Sequence, residues 1–268
     1  MNTGMGGDAG MEGDAALLLL ADSRLPAGGH AHSGGVEEAV RRGTVTGTGD
    51  LGRFLRGRLA TAGLVTAALA AAACELAASE TASATAADGI WLWRRLDAEA
   101  DARTASPAQR EAARTQGRLL LRTARRMWPS PALDTLARAV PEGPHHPIAL
   151  GAAAASAGCA PRQAALAAAY TSVTGPATAA VRLLGLDPVA VHRLLAGLAP
   201  ALDGTAHAAC ASLDDALPAD EDGRHSGRRS ERHAAWQARW HALPGHGAPA
   251  LDLLAEGHLA NPMKLFVS

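Results

Sequence analysis

Apolar positions along most of the chain recur three and four residues apart with polar side chains between them, the period of helices rather than strands. The run Leu17–Leu20 predicts a short helix over Ala15–Ala21, and Val36–Arg42 resumes a helix that Gly43 stops. Leu51, Phe54, Leu55, Leu59, Ala62 and Val65 form one stripe, with Asp50 as the expected N-cap and Arg53, Arg56 and Arg58 outside it. That helix is expected to reach about Ala78, where "SETASATAAD" links it to a helix capped by Asp88 and holding Trp91, Trp93 and Leu96. Start signals then recur: Ser106-Pro107, with Gln109 where a capping box wants it, Ser130-Pro131, Pro161 and Asp187-Pro188. The helix from Pro107 ends at Trp128. Gly158 closes a small-residue helix that follows the loop "PEGPHHP" (141–147). Gly175-Pro176 is expected to break or kink the helix through Tyr170. Further helices fall over Ala201–Leu217 and through Trp236 and Trp240, and "LPGHGAP" (243–249) is a break.

Runs of β-branched or aromatic residues are scarce, so the fold class is all-α: a single-domain bundle of roughly ten helices. Residues 1–13, rich in Gly and Met without periodicity, are expected to be disordered. The helical domain spans 14–250, with a mobile loop at about 218–233, and 251–268 forms a C-terminal tail. Composition sharpens this picture. Hydrophobic residues make up 48% of the chain but aromatics only 3%, and alanine dominates the apolar fraction, so the helices should pack closely. The stretch "LATAGLVTAALAAAACELAAS" (59–79) is apolar enough to raise a membrane span, but Glu75, its Thr residues and its many Ala favour a buried helix. The first basic residue, Arg24, follows the Leu17–Leu20 run, so no signal-peptide n-region is expected. Cys74, Cys159 and Cys210 are few, odd in number and widely spaced, which fits a reducing cytoplasm. A net charge of −1 provides no global field toward nucleic acid or membrane.

The chemistry-bearing patterns are few. The only lysine, Lys264, has no glycine loop before it, so the chain is not itself a P-loop NTPase. "AHSGG" (31–35) is one residue away from a nucleophile elbow centred on Ser33, but a helical Leu run precedes it rather than a strand. The simpler reading is that Ser33 or Gly34 caps the helix at Val36, and that Glu37 and Glu38 complement its positive end. His30 and His32 form H-x-H and His145-His146 are adjacent, yet the paired spacings of a structural zinc site are absent. Arg114, Arg118, Arg122 and Arg126 stand four residues apart on one helix face, which reads as a solvated face or a docking stripe for an acidic partner or phosphate. A helical serine hydrolase using Ser33 and a histidine-based metal-binding protein stay open as alternatives to a protein that works by contact.

One family collects these features. "LLLLADSRLPAGGHAHSGGVEEAV" (17–40) resembles the opening of the urease accessory protein F (UreF) family, with Pro26, Gly28, Ser33, Gly35 and Glu37 in the family's Pro, Gly, Ser, Gly and Glu places. "PIALG" (147–151) and "YTSVTGPATAAVRLLGLDP" (170–188) resemble its Tyr-bearing central helix and the Ala/Val/Arg continuation, which places Tyr170 and Arg182. "ALDLLAEGHLANPMKLFVS" is similar to its closing Asp, His and Leu-Phe-x-Ser pattern, with Asp252, His258, Leu265 and Phe266. The departures are His30 where an aromatic is usual, Val36 for Leu, "EGH" for a His-Glu pair, and Lys264 for Arg.

The resemblance implies an all-helical, dimer-forming cytoplasmic protein with no catalytic activity, cofactor or resident metal of its own. It implies binding to the UreD/UreH accessory protein and the UreG GTPase on apo-urease, for GTP-dependent nickel insertion, with modulation of that GTPase. The turn and helix start over 26–37, with Tyr170 and Arg182, would then form a GTPase-facing or dimer surface. For Tyr170 the alternative is core packing with a hydrogen-bonded hydroxyl. Residues 251–268 would dock into the UreD/UreH partner.

Overall fold

A computed structural model describes residues 8–79, 86–214 and 229–268. The expected 218–233 loop falls largely outside them, as do residues 1–7; residues 229–233 belong to a helix. Among the described residues the fold is all-α, with no strand. Its helices are α1 (Asp8–Ala21), α2 (Val36–Arg41), α3 (Thr48–Arg58), α4 (Leu64–Ser79), α5 (Ala86–Ala102), α6 (Pro107–Met127) and α7 (Pro131–Ala139). They continue with α8 (His146–Ser156), α9 (Pro161–Leu184), α10 (Pro188–Gly197), α11 (Ala199–Asp214), α12 (Arg229–His241) and α13 (Pro249–Leu259). Helix α1 begins well before Ala15, inside the segment expected to lack order.

The core forms around α4. Ala67 to Ala73 and Cys74 are all buried, so this helix is apolar on every side and is surrounded by α8, α9 and α11. Alanine on both partners lets the axes approach. At Gly151 of α8 even a methyl group is too much, since a Cβ there would lie 2.1 Å from the Ala70 carbonyl oxygen of α4. Thr48–Ser79 runs as one helix of 32 residues, long and apolar enough to cross a membrane, but 67% of its most apolar window is buried inside the fold. Burial also pushes the Cys74 and Cys159 thiols up, to about 12 and about 11, and the three cysteines are free.

The start signals of α6, α7 and α10 work as the sequence predicts. Ser106 accepts from the Gln109 amide (3.1 Å), Ser130 from the Leu133 amide (3.3 Å), and Asp187 from Val189 and Ala190. The capping box at Ser106 does not close, because the Gln109 side chain turns to Asp252 of α13 (3.2 Å). Asp50 is not an N-cap either: α3 begins at Thr48, and Asp50 accepts from the Thr46 amide and hydroxyl.

Gly175-Pro176 does not break α9, which continues for 24 residues. Pro176 lacks the N–H that would bond the Ser172 carbonyl, and the Arg58 Nε donates to that oxygen instead, at 2.8 Å. Arg58 also donates to the Gly34 carbonyl (2.9 Å), so one guanidinium bridges the proline step and the glycine turn. It stands where α3 gives way to a single π-helical stretch, Leu59–Gly63, that leads into α4. Desolvation draws Arg58 down to about 10, and it stays charged at neutral pH.

Replacing Gly151 with Leu should destabilise the fold by about 2 kcal/mol or more, because backbone of α4 must give way. Urea denaturation measures this, and an unchanged midpoint would contradict the close packing.

Candidate functional site

Glycines shape the turn before α2. Gly28 (φ 76°), Gly34 (60°) and Gly35 (91°) occupy the left-handed region, where a side chain is strained. At Gly34 an added Cβ would also lie 2.9 Å from Pro176, so the turn is pressed against α9. Pro26 is exposed, and its carbonyl accepts from Thr123 of α6 (2.9 Å), which ties the start of the turn to that helix.

Ser33 does not cap α2. Gly35 holds the N-cap position, and the Ser33 Oγ is buried with no hydrogen-bond partner among the described residues. No base therefore stands on that oxygen, and the hydrolase alternative has no geometric support. Nor do the two glutamates simply face the helix end. Arg41, with Arg42, holds the buried Glu38 carboxyl down to about 2. Glu37 turns the other way, to the C-terminal tail.

The Glu37 carboxylate accepts from the backbone amides of Leu265 (2.6 Å) and Phe266 (3.1 Å). The His258 ring lies between them, with Nε2 3.2 Å from the Phe266 carbonyl and Nδ1, which makes no hydrogen bond among the described residues, 3.5 Å from Glu37 Oε2. Two backbone bonds complete the clasp, Val267 N to Ala31 O (2.7 Å) and Ser33 N to Ser268 O (2.5 Å), and His32 Nδ1 lies 2.6 Å from the Ser268 hydroxyl. Phe266 is buried, with the Arg182 guanidinium 5.3 Å above its ring centre. The side chains on either side of it face solvent, Leu265 at 79% and Val267 at 58% exposure.

The structure thus brings Ser33, Gly35, Glu37, Arg182, His258, Leu265 and Phe266 into one place. Pro26 and Gly28 sit at the α6 end of the turn, where a Cβ added at Gly28 would lie 2.8 Å from the Leu119 side chain. Asp252 serves the start of α6 through Gln109, beside Glu256, which accepts from the Ser106 hydroxyl and the Ala108 amide. Tyr170 stands apart, about 18 Å along α9 from Arg182 by helix rise. It is 40% exposed, so the alternative of a buried, hydrogen-bonded tyrosine does not hold. Arg58 was missed among the site residues. Its signal was a proline four residues after Ser172, which leaves a carbonyl for some donor to meet.

Among the described residues, the group of three ligating side chains near enough to share a metal ion contains one histidine, His145. His145 caps α8 by position, and its ring meets Asp101 (2.8 Å) while its amide donates to Asp97 (2.8 Å). Asp97, Asp101 and His145 are near enough to share an ion. Arg114 already fills that place, donating to Asp97 (3.0 Å), Asp101 (2.6 Å) and the Gly143 carbonyl (2.9 Å). Burial raises the Asp97 carboxyl even so, while His145 and Arg114 together outweigh desolvation at Asp101 and lower it. Arg114 therefore leaves the solvated arginine face read from the sequence. Burial, with the neighbouring His32, pushes His146 down to about 4.

Two consequences can be measured. Glu37→Gln keeps the shape but removes the charge that holds the Leu265 and Phe266 amides, so their hydrogen exchange should quicken about tenfold or more. Unchanged protection would contradict the clasp. For His146, the folded pKa lies below the unfolded one, so the unfolded chain takes up the proton first. Stability should therefore fall as pH drops from about 6.5 toward 4, by about 2 kcal/mol at pH 5, and His146→Gln should flatten that slope in urea titrations.

A family model described as UreF matches residues 45–199. The urease accessory protein UreF of Mycobacterium sp. (strain JLS) is 50% identical over 215 residues, covering 79% of this chain and 94% of that protein. The protein of the same name from Mycolicibacterium vanbaalenii is 42% identical over 254 residues, covering 95% and 98%. That from Mycobacterium tuberculosis (strain H37Rv) is 43% identical over 201 residues, covering 75% and 87%. The chain belongs to the UreF family of urease accessory proteins.

Proposed function

We propose that this chain is a non-catalytic scaffold for urease maturation, joining the UreD/UreH accessory protein and the UreG GTPase on apo-urease for GTP-dependent nickel insertion. It acts in the cytoplasm, as a homodimer within that assembly, and modulates the hydrolysis carried out by the GTPase. The observation that carries this reading is the exterior of the clasped tail. Leu265 and Val267 stand outside the fold although the backbone beneath them is held by Glu37 and Ala31, and Met263 (83% exposed), Leu253 and Leu259 are exposed as well. Apolar side chains presented by a fixed backbone suit contact with a partner better than free movement in water. We assign this face to the UreD/UreH partner. The glycine turn, with Glu37, lies directly beneath it, and Tyr170 and Arg182 on α9 are assigned to the GTPase or dimer surface.

The experiment is co-purification from cells bearing the urease operon. Leu265→Asp with Val267→Asp should reduce recovery of the UreD/UreH partner about tenfold and lower urease activity in parallel. Full recovery with full urease activity would remove the assignment.

A further inference from the structure

A groove between α6 and α7 is used by none of these assignments. Two adjoining cavities of about 670 and 410 Å³ share Pro129 and Asp134, forming one trough along the C-terminal half of α6. Arg118, Arg122, Arg125 and Arg126 line the larger one. Asp134 is its only carboxylate, and Arg125 takes it at 2.7 Å. Arg118 reaches the Glu142 carbonyl (2.8 Å), whereas Arg122 and Arg126 are exposed and make no hydrogen bond or ion pair among the described residues. Leu121 and Val140 form an apolar floor.

The row complements α6's own carbonyl end only in part, since Arg118 and Arg122 precede its last turn. In a chain of net charge −1, this trough is a local excess of fixed positive charge. Arg118, Arg122 and Arg126 stand four residues apart, so they repeat about every 6 Å over about 12 Å. A second helix with carboxylates at i, i+4 and i+8 repeats at the same interval, and its apolar side chains would meet the floor. No aromatic ring lines the trough, so it offers bases no platform for stacking. We propose that this groove docks an acidic amphipathic helix of a protein partner, with Arg122 and Arg126 as its principal charge contacts.

The test uses the full chain and a fluorescein-labelled peptide of about four helical turns with Glu at every fourth position, followed by fluorescence anisotropy. The comparison is a peptide of identical composition with its Glu residues out of that register. The registered peptide should bind roughly tenfold tighter than the shuffled one, weaken as salt rises, and lose roughly tenfold on Arg122→Ala with Arg126→Ala. These two side chains are exposed, and circular dichroism checks that the variant keeps its helices. Equal binding of the two peptides, no saturable binding, or no effect of the variant would overturn the proposal. So would inorganic triphosphate or single-stranded DNA competing as well as the registered peptide, since the groove would then select charge alone.

Discussion

A buried carboxylate at the first turn of a six-residue helix cannot be left without donors, and Glu37 finds them in the backbone of the last residues of the chain. This contact joins the two ends of the sequence. It sets which face of the tail is turned inward, because once the Leu265 and Phe266 amides point to Glu37, Phe266 is buried under Arg182 and its neighbours face water. His258 holds the same arrangement from α13, so the carboxylate, the imidazole and the tail carbonyl form one polar unit within an otherwise apolar fold.

That unit needs a firm base, and the alanine core supplies it. Small side chains on α4, α8 and α9 bring backbone close to backbone, so the helices have little room to shift independently. Arg58 carries this rigidity to the glycine turn by spanning Ser172 of α9 and Gly34. The turn is therefore fixed on one side by α9 and on the other by the tail, and the surface it presents is determined by the core beneath it.

Much of this organisation was legible in the sequence where local chemistry decides structure. Helical period, the Ser-Pro and Asp-Pro starts and the glycines of the turn each act within a few residues, and the all-α class follows from them. The misreadings involve partners distant in sequence. Pro176 looked like a break because the donor that meets the Ser172 carbonyl is more than a hundred residues earlier. Arg114 looked solvated because Asp97 and Asp101 lie on another helix. Ser33 and Glu37 looked like capping groups because their surroundings include the far end of the chain. The candidate site residues were found by resemblance rather than by pattern, and physical chemistry explains why seven of them meet. It gives no such link for Tyr170, which lies well along α9, or for Asp252, which is occupied at the start of α6.

The central claim is that the tail is a surface held in place from within. The direct measurement is the affinity of the purified UreD/UreH partner for this chain, compared among the native sequence, Glu37→Gln, Leu265→Asp and the two changes together. The account predicts that Glu37→Gln, buried and away from the contact, weakens binding by several-fold, and that its effect shrinks once Leu265 is changed. Native affinity in Glu37→Gln alongside a large loss in Leu265→Asp would contradict it, since the tail would then bind without the clasp.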